Sequence, residues 1–339
     1  MIIRANAYPR AALIGNPSDG YFGKTIAFTF RNFAAQVTLY ETPELEILPN
    51  LRDNSTFESL EHLAADVRSF GYYGGIRLLK AAIKRFHDYC RDHALKLHTR
   101  NFTLRYHSNI PHLVGLAGSS AIITACMRAL MQFYRVSIPK PELANLILSV
   151  ETKELAISAG LQDRVAQVYQ GLVFMDFDRA LMERQTFGRY VPMPADALPP
   201  LYIAYRTELS EGSEVFHNNI RDRFERGDPD VHAAMQTWAG FTEEARQCLS
   251  QARHDRLGDL LNRNFDLRAR LYRISEGNLR LIEAARSVGA SAKFTGSGGA
   301  IIGAYTDDAM FTRLSEALGR IHVAVLKPDI VEATPDETA

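Results

Sequence analysis

Asn109-Ile-Pro-His-Leu-Val-Gly-Leu-Ala-Gly-Ser-Ser-Ala121 joins a segment that alternates like a strand (Phe102, Leu104, Tyr106) to one with a helical apolar stripe (Ile122, Cys126, Ala129, Leu130, Phe133). A small-residue turn that ends a strand and opens a helix is the grammar of phosphate binding. Glycines let the backbone approach oxygens closely, the free N–H groups of the first helical turn donate to them, and the helix dipole favours their charge. Ser119 and Ser120 stand where a hydroxyl can cap the helix or turn to a phosphate-bound Mg²⁺. No Gly-Lys-Ser/Thr follows, so the segment is not a Walker loop.

Working outward, alternation predicts strands at Ile2 to Ala7, Ala11 to Ile14, Thr25 to Phe30 and Ala35 to Tyr40, then helices over Phe57 to Arg68 and Gly75 to His93. Beyond the turn, Pro141 suits the first turn of a helix running to about Leu155, with Gly160 as a stop. A helical piece, Asp163 to Tyr169, leads into a strand from Leu172 to Phe177. Pro192, Pro194, Pro199 and Pro200 mark a boundary between an N-terminal domain, 1–195, and a C-terminal domain, 196–339. The latter reads as strand, long helices from about Asp230 to Val288, a glycine-rich turn, strand, helix and strand, so both halves are mixed α+β.

A chain of 339 residues exceeds the ~250–300 at which one core stops growing. Lysine plus arginine total 39 and aspartate plus glutamate also 39, so no net positive field exists to hold nucleic acid. No stretch reaches the ~20 apolar residues of a transmembrane helix, and a cytosolic location without a membrane or nucleic-acid partner is expected, as a monomer or homodimer. Cys90, Cys126 and Cys248 are widely separated and read as buried free thiols.

Two further segments repeat the glycine-rich theme: Pro9-Arg-Ala-Ala-Leu-Ile-Gly-Asn-Pro-Ser-Asp-Gly-Tyr-Phe-Gly23 and Lys293-Phe-Thr-Gly-Ser-Gly-Gly-Ala300. In order, the three resemble the motifs of the galactokinase, homoserine kinase, mevalonate kinase and phosphomevalonate kinase (GHMP) superfamily. The central one matches Pro-x-x-x-Gly-Leu-Gly-Ser-Ser-Ala through Pro111, Gly115, Leu116, Ser119, Ser120 and Ala121, with Ala117-Gly118 where many members have one small residue. The resemblance implies an α+β two-domain fold, a ribosomal protein S5 domain 2-like N-terminal lobe with a ferredoxin-like C-terminal lobe, and ATP with Mg²⁺ as cofactors.

It also implies roles. Gly115, Leu116, Ala117, Gly118, Ser119, Ser120, Gly296, Ser297 and Gly298 hold the nucleotide, and Asp19 and Tyr21 meet the acceptor. Arg10 lies near the transferring phosphate. Asp163, in Ala159-Gly-Leu-Gln-Asp-Arg-Val-Ala-Gln-Val-Tyr169, resembles the catalytic aspartate of the sugar kinases, a carboxylate that takes or directs the acceptor's proton. Ser120 and Glu151 bind the metal, with Glu154 as a competitor. Together with Gly71-Tyr-Tyr-Gly-Gly75, these segments resemble the glucuronokinases in particular, which implies phosphorylation of a sugar acid at its anomeric hydroxyl. A uronate carboxylate calls for a cation, for which Arg164, Lys24 and Arg206 are candidates. Another sugar kinase of the superfamily, or an inactive sensor on the same scaffold, remains the alternative at this stage.

Overall fold

The computed structural model describes residues 1–50, 53, 56–70, 74–207 and 218–333. Tyr72 and Tyr73, proposed from the sequence as walls of the site, lie outside the described residues. The chain forms two compact units, the first from Met1–Pro9, Phe33–Ile110 and Ala117–Val168, the second from Arg10–Asn32, Pro111–Leu116 and Tyr169–Ala339.

In the first unit, β1 (Ile2–Ala7), β4 (Ala35–Thr42), β6 (Asn101–Ser108) and β5 (Glu46–Leu48) form one sheet in that order. Strand β1 buries every second residue (Ile3, Ala5, Ala7), the period-2 signature of a sheet with one covered face. The cover includes α3 (Gly118–Tyr134), whose buried residues run almost round its circumference, and α2 (Gly75–Asp92) packs on α3. Helix α1 (Leu60–Phe70) precedes α2. Helix α4 (Lys140–Ser149) has proline in its first turn, as its sequence predicts, but does not run on as an α-helix to Leu155. It widens into a π-type turn over Val150–Glu154, and Gly160, expected to stop it, instead precedes α5 (Leu161–Tyr169).

The second unit holds two antiparallel sheets. One orders β2 (Arg10–Ile14), β3 (Lys24–Thr29), β7 (Leu172–Asp176) and β8 (Arg189–Met193); the other orders β10 (Lys293–Phe294), β11 (Ala300–Ala304), β9 (Leu201–Arg206) and β12 (Val323–Leu326). Helices α6 (Arg179–Gln185), α7 (Asn218–Glu225), α8 (Pro229–Ser250), α9 (His254–Leu271), α10 (Glu276–Ser287) and α11 (Asp308–Gly319) complete it. Tyr202, Phe265, Leu281, Phe294 and Ile301 centre the core beside the second sheet.

A single cut at residue 195 therefore does not separate compact units. The β2–β3 hairpin pairs with β7 from Lys24↔Asp176 to Phe28↔Leu172, which builds an early stretch of sequence into a sheet of the later one. Pro192 does not break structure either: it sits in β8, at the sheet's edge, where a missing N–H costs little. All three cysteines are buried free thiols, and no helix among the described residues is long and apolar enough to cross a membrane.

Candidate active site

In the first unit the chemistry gathers where α3 begins. Ala117, the residue before the helix, is left-handed (φ 61°), and no side chain caps the first turn. The serines therefore are not the caps that their position suggests. Ser120 is fully buried and its hydroxyl donates to the Ala117 carbonyl at 3.1 Å. Ser119, one helical step round, donates to Oε1 of Glu151 at 2.9 Å. The expected partnership of Ser120 with Glu151 thus falls to Ser119.

The widened turn after α4 gives the two glutamates different partners. Glu151 is 2% exposed and faces Ser119 and Arg164, whereas Glu154 pairs with Lys84 at 2.9 Å. On a regular helix residues three apart share a face; the π-type turn, a feature frequent at functional sites, sends them apart. Arg164 forms a buried ion pair with Glu151, stands 3.4 Å from Oδ2 of Asp163, and donates to the Gly160 carbonyl at 2.8 Å. Its guanidinium, expected from the sequence to meet the acceptor's carboxylate, is engaged here with these three groups of the protein.

The result is a continuous array, Ser119–Glu151–Arg164–Asp163, in which one arginine bridges both carboxylates expected to carry chemistry. Gln167, one helical turn beyond Asp163 and 1% exposed, donates to the carbonyls of Tyr8 (3.2 Å) and Ala117 (2.9 Å) and so pins the strained residue ahead of α3. The sequence analysis did not single out Gln167; its i,i+4 spacing from Asp163 on an otherwise apolar helix face is the available signal. Glu151 and Ser119 supply only oxygen, and among the described residues no group of three or more acidic, histidine or cysteine side chains is placed to hold a metal ion. Such a sparse all-oxygen set fits Mg²⁺, which takes one or two protein carboxylates and completes its shell with water and phosphate.

In the second unit the first and third glycine-rich segments meet part of the second. Arg10 is 4% exposed, and its Nη1 donates to the carbonyls of Thr295 (2.6 Å) and Gly115 (3.3 Å). Backbone approaches closely here. A Cβ on Gly296 would lie 2.5 Å from the Gly115 oxygen, and one on Gly115, whose φ is +70°, 2.9 Å from the Gly298 oxygen. Only glycine fits either position. Arg268, on α9 and 2% exposed, donates to the Gly296 carbonyl at 2.8 Å and reaches that of Ser297 at 3.4 Å. Lys293 is also buried, donating to the carbonyls of Ala12 and Phe294, and burial together with the Arg268 and Arg10 charges pushes its pKa well below the usual value.

The Asp19–Tyr21 turn, readable from sequence as an ordinary surface turn, is anchored from beneath. Asn16 and Ser18 are buried, and Asn264 of α9 accepts from the Gly15 amide (2.8 Å) while donating to the Asn16 carbonyl (3.1 Å). Tyr21 packs on Phe224 with centroids 4.9 Å apart; burial raises its pKa and the Arg221 charge opposes the rise. Asn264 and Arg268 continue the buried stripe Leu257, Leu260, Leu261, Phe265, and a stripe that turns polar over its last two turns is the signal that would have found them.

Of the other cations considered for a uronate, Lys24 is held by Glu243 (2.7 Å) and Asp176 (3.2 Å); burial lowers its pKa, but these two carboxylates outweigh that and raise it. Arg206 lies over Gly277 beside Arg280.

Residues 77–171 match the family described as GHMP kinases N terminal domain, and residues 245–322 match GHMP kinases C terminal. The chain is a member of the GHMP kinases, phosphotransferases that use an alcohol group as acceptor. Within them it stands with the glucuronokinases: it is 44% identical over 306 residues to Glucuronokinase 1 of Arabidopsis thaliana, covering 88% of this chain and 84% of that protein. It is likewise 44% identical over 308 residues to Probable glucuronokinase 2 of the same plant, covering 89% and 84%. Among solved structures, Lactococcus lactis galactokinase complexed with galactose superposes with a TM-score of 0.72 at 14% identity over 98% of this chain and 95% of that one, a likeness of fold.

Proposed function

We propose that this chain transfers the γ-phosphoryl group of ATP to the anomeric hydroxyl of D-glucuronate, giving glucuronate 1-phosphate and ADP. The observation that carries the catalytic part is the array in the first unit, where two carboxylates held by one buried arginine stand at the start of a glycine-led helix. The relatives' names supply the acceptor.

In this reading the anomeric oxygen attacks the γ-phosphorus, the bond to the ADP oxygen breaks, and the hydroxyl proton passes to Asp163. Arg164, 3.4 Å away, orients the Asp163 carboxylate. The uncapped amides of the first turn of α3 and the backbone of Gly296, Ser297 and Gly298 bind phosphate oxygens. Arg10 and Arg268 act on those glycine turns from behind, through their carbonyls. Glu151 and Ser119 would hold Mg²⁺, which would supply positive charge against the nucleotide's phosphates. Asp19 orients sugar hydroxyls.

The test is ADP release by the purified protein with ATP and Mg²⁺, comparing D-glucuronate with galacturonate, glucose, galactose and mevalonate. Turnover mainly with glucuronate is expected. Preference for another acceptor overturns the substrate, and no turnover with any of them points to a sensor. Asp163→Asn is expected to lower turnover by about 10²–10⁴-fold while ATP still binds, as a lost general base does; unchanged turnover removes Asp163 from that role.

A further inference from the structure

A uronate acceptor brings a carboxylate to the site, and the cations suggested by sequence are largely committed: Arg164 to Glu151 and Asp163, Lys24 to Glu243 and Asp176. The Asp19–Tyr21 turn has a cation of its own. Arg221, on α7, lays its guanidinium over the Tyr21 ring, 4.8 Å from the centroid. The ring beneath it packs on Phe224, with centroids 4.9 Å apart. Arg221 is exposed, and among the described residues it forms no ion pair with a carboxylate. A guanidinium stacked flat on an aromatic ring keeps its N–H edge available, and that edge matches a carboxylate in two-pronged fashion.

Gly20 provides the room. Among the described residues a Cβ built there would meet one atom only, Nη2 of Arg221, at 3.4 Å, so of these residues only this guanidinium borders the space beside the turn. A second arginine, Arg179, stands 4.4 Å over Phe22, but that ring is 41% exposed and left-handed in backbone, outside the Tyr21–Phe224 pair. We infer that Arg221 is a specificity-determining residue that binds the carboxylate of the acceptor, with Gly20 keeping its approach open. This rests on the uronate reading above.

The experiment compares D-glucuronate with D-glucuronamide, which keeps the sugar and loses the charge, in wild type, Arg221→Met, Arg221→Lys, Gly20→Val and Arg179→Met. Arg221→Met is expected to raise KM for glucuronate about 10- to 100-fold, the usual worth of a hydrogen-bonded charge pair, and to leave KM for glucuronamide within about twofold. Lysine is expected to restore part of the affinity, Gly20→Val to act in the direction of Arg221→Met, and Arg179→Met to leave the selectivity unchanged. Equal effects on both sugars, no effect on glucuronate, or a selective loss in Arg179→Met instead overturns the assignment to Arg221 while leaving the glucuronate activity standing. A wild type that turns over neither sugar overturns the uronate reading and this inference with it.

Discussion

Replacing Arg164 with methionine removes the cation from a pair whose side chains are 4% and 3% exposed. The Glu151 carboxylate then stays buried, with the Ser119 hydroxyl still donating to it. Breaking a buried ion pair from one side costs about 3–5 kcal/mol, because the remaining charge is neither solvated nor neutralised. At about 2–4 °C per kcal/mol for domains of this size, the melting temperature is expected to fall by roughly 6–20 °C. Neutralising both partners, in Arg164→Met with Glu151→Gln, is expected to recover most of that loss, since the cost lies in the orphaned charge. Lys84→Met is the control: its side chain is 58% exposed and pairs with Asp88 and Glu154 at the surface, where solvent screens such contacts, so little change in stability is expected. Circular dichroism melts and urea titrations of wild type, Arg164→Met, Glu151→Gln and the double variant read the cycle, with Lys84→Met measured beside them. A loss below about 1 kcal/mol in Arg164→Met, or a double variant as unstable as the sum of the singles, refutes the argument that this arginine carries the array.

Ser119→Ala is expected to raise the Mg²⁺ concentration for half-maximal ADP release about tenfold, the worth of a hydroxyl donated to a carboxylate, and Ser120→Ala to change it by less than about twofold; the reverse order restores Ser120 as the metal partner. Gly296→Ala sets a methyl 2.5 Å from the Gly115 oxygen and is expected to weaken ATP binding at least about tenfold by calorimetry, whereas Gly240→Ala, with nothing within 4 Å, is expected to stabilise α8 by about 0.5–1 kcal/mol. Lys293 has a depressed pKa in the fold, so the unfolded chain takes up its proton first as pH falls below about 10.4, and the wild type gains stability from this group as pH rises towards that value. The stability of Lys293→Met relative to wild type is therefore expected to decline between about pH 7 and pH 10, and a difference that does not change with pH contradicts the buried, depressed lysine.

Most strands and helices were legible because their signals are local. Alternation located β1 to β4, and the stripe from Ile122 to Phe133 located α3, since burial on one face imposes a period that a single segment displays. The glycines of the three motifs were legible too, because no other residue fits where backbone meets backbone, as Gly115 and Gly296 show. What sequence left open was which neighbour each polar group would take. Glu151 and Glu154 share a face on an ideal helix, and one widened turn gives them different partners, a departure that no local composition announces. The serines read as caps because helix starts favour them, yet the left-handed Ala117 turns both hydroxyls to other partners.

The residues missed in sequence share one physical role. Gln167, Arg268 and Asn264 are 1–2% exposed, occupy core-facing positions on α5 and α9, and reach the backbone of the glycine-rich segments. A turn rich in glycine loses much entropy when ordered and has no side chains of its own to fix it. Buried donors that hold its carbonyls supply the missing restraint, and each carbonyl held from behind constrains the rigid peptide plane that also carries the next amide. The glycine-rich turns thus depend on partners far away in sequence, Arg10 to Thr295 and Gln167 to Ala117 among them. Aiming the loop is a property of the core helices, and polar residues that interrupt an apolar stripe are where a sequence records it.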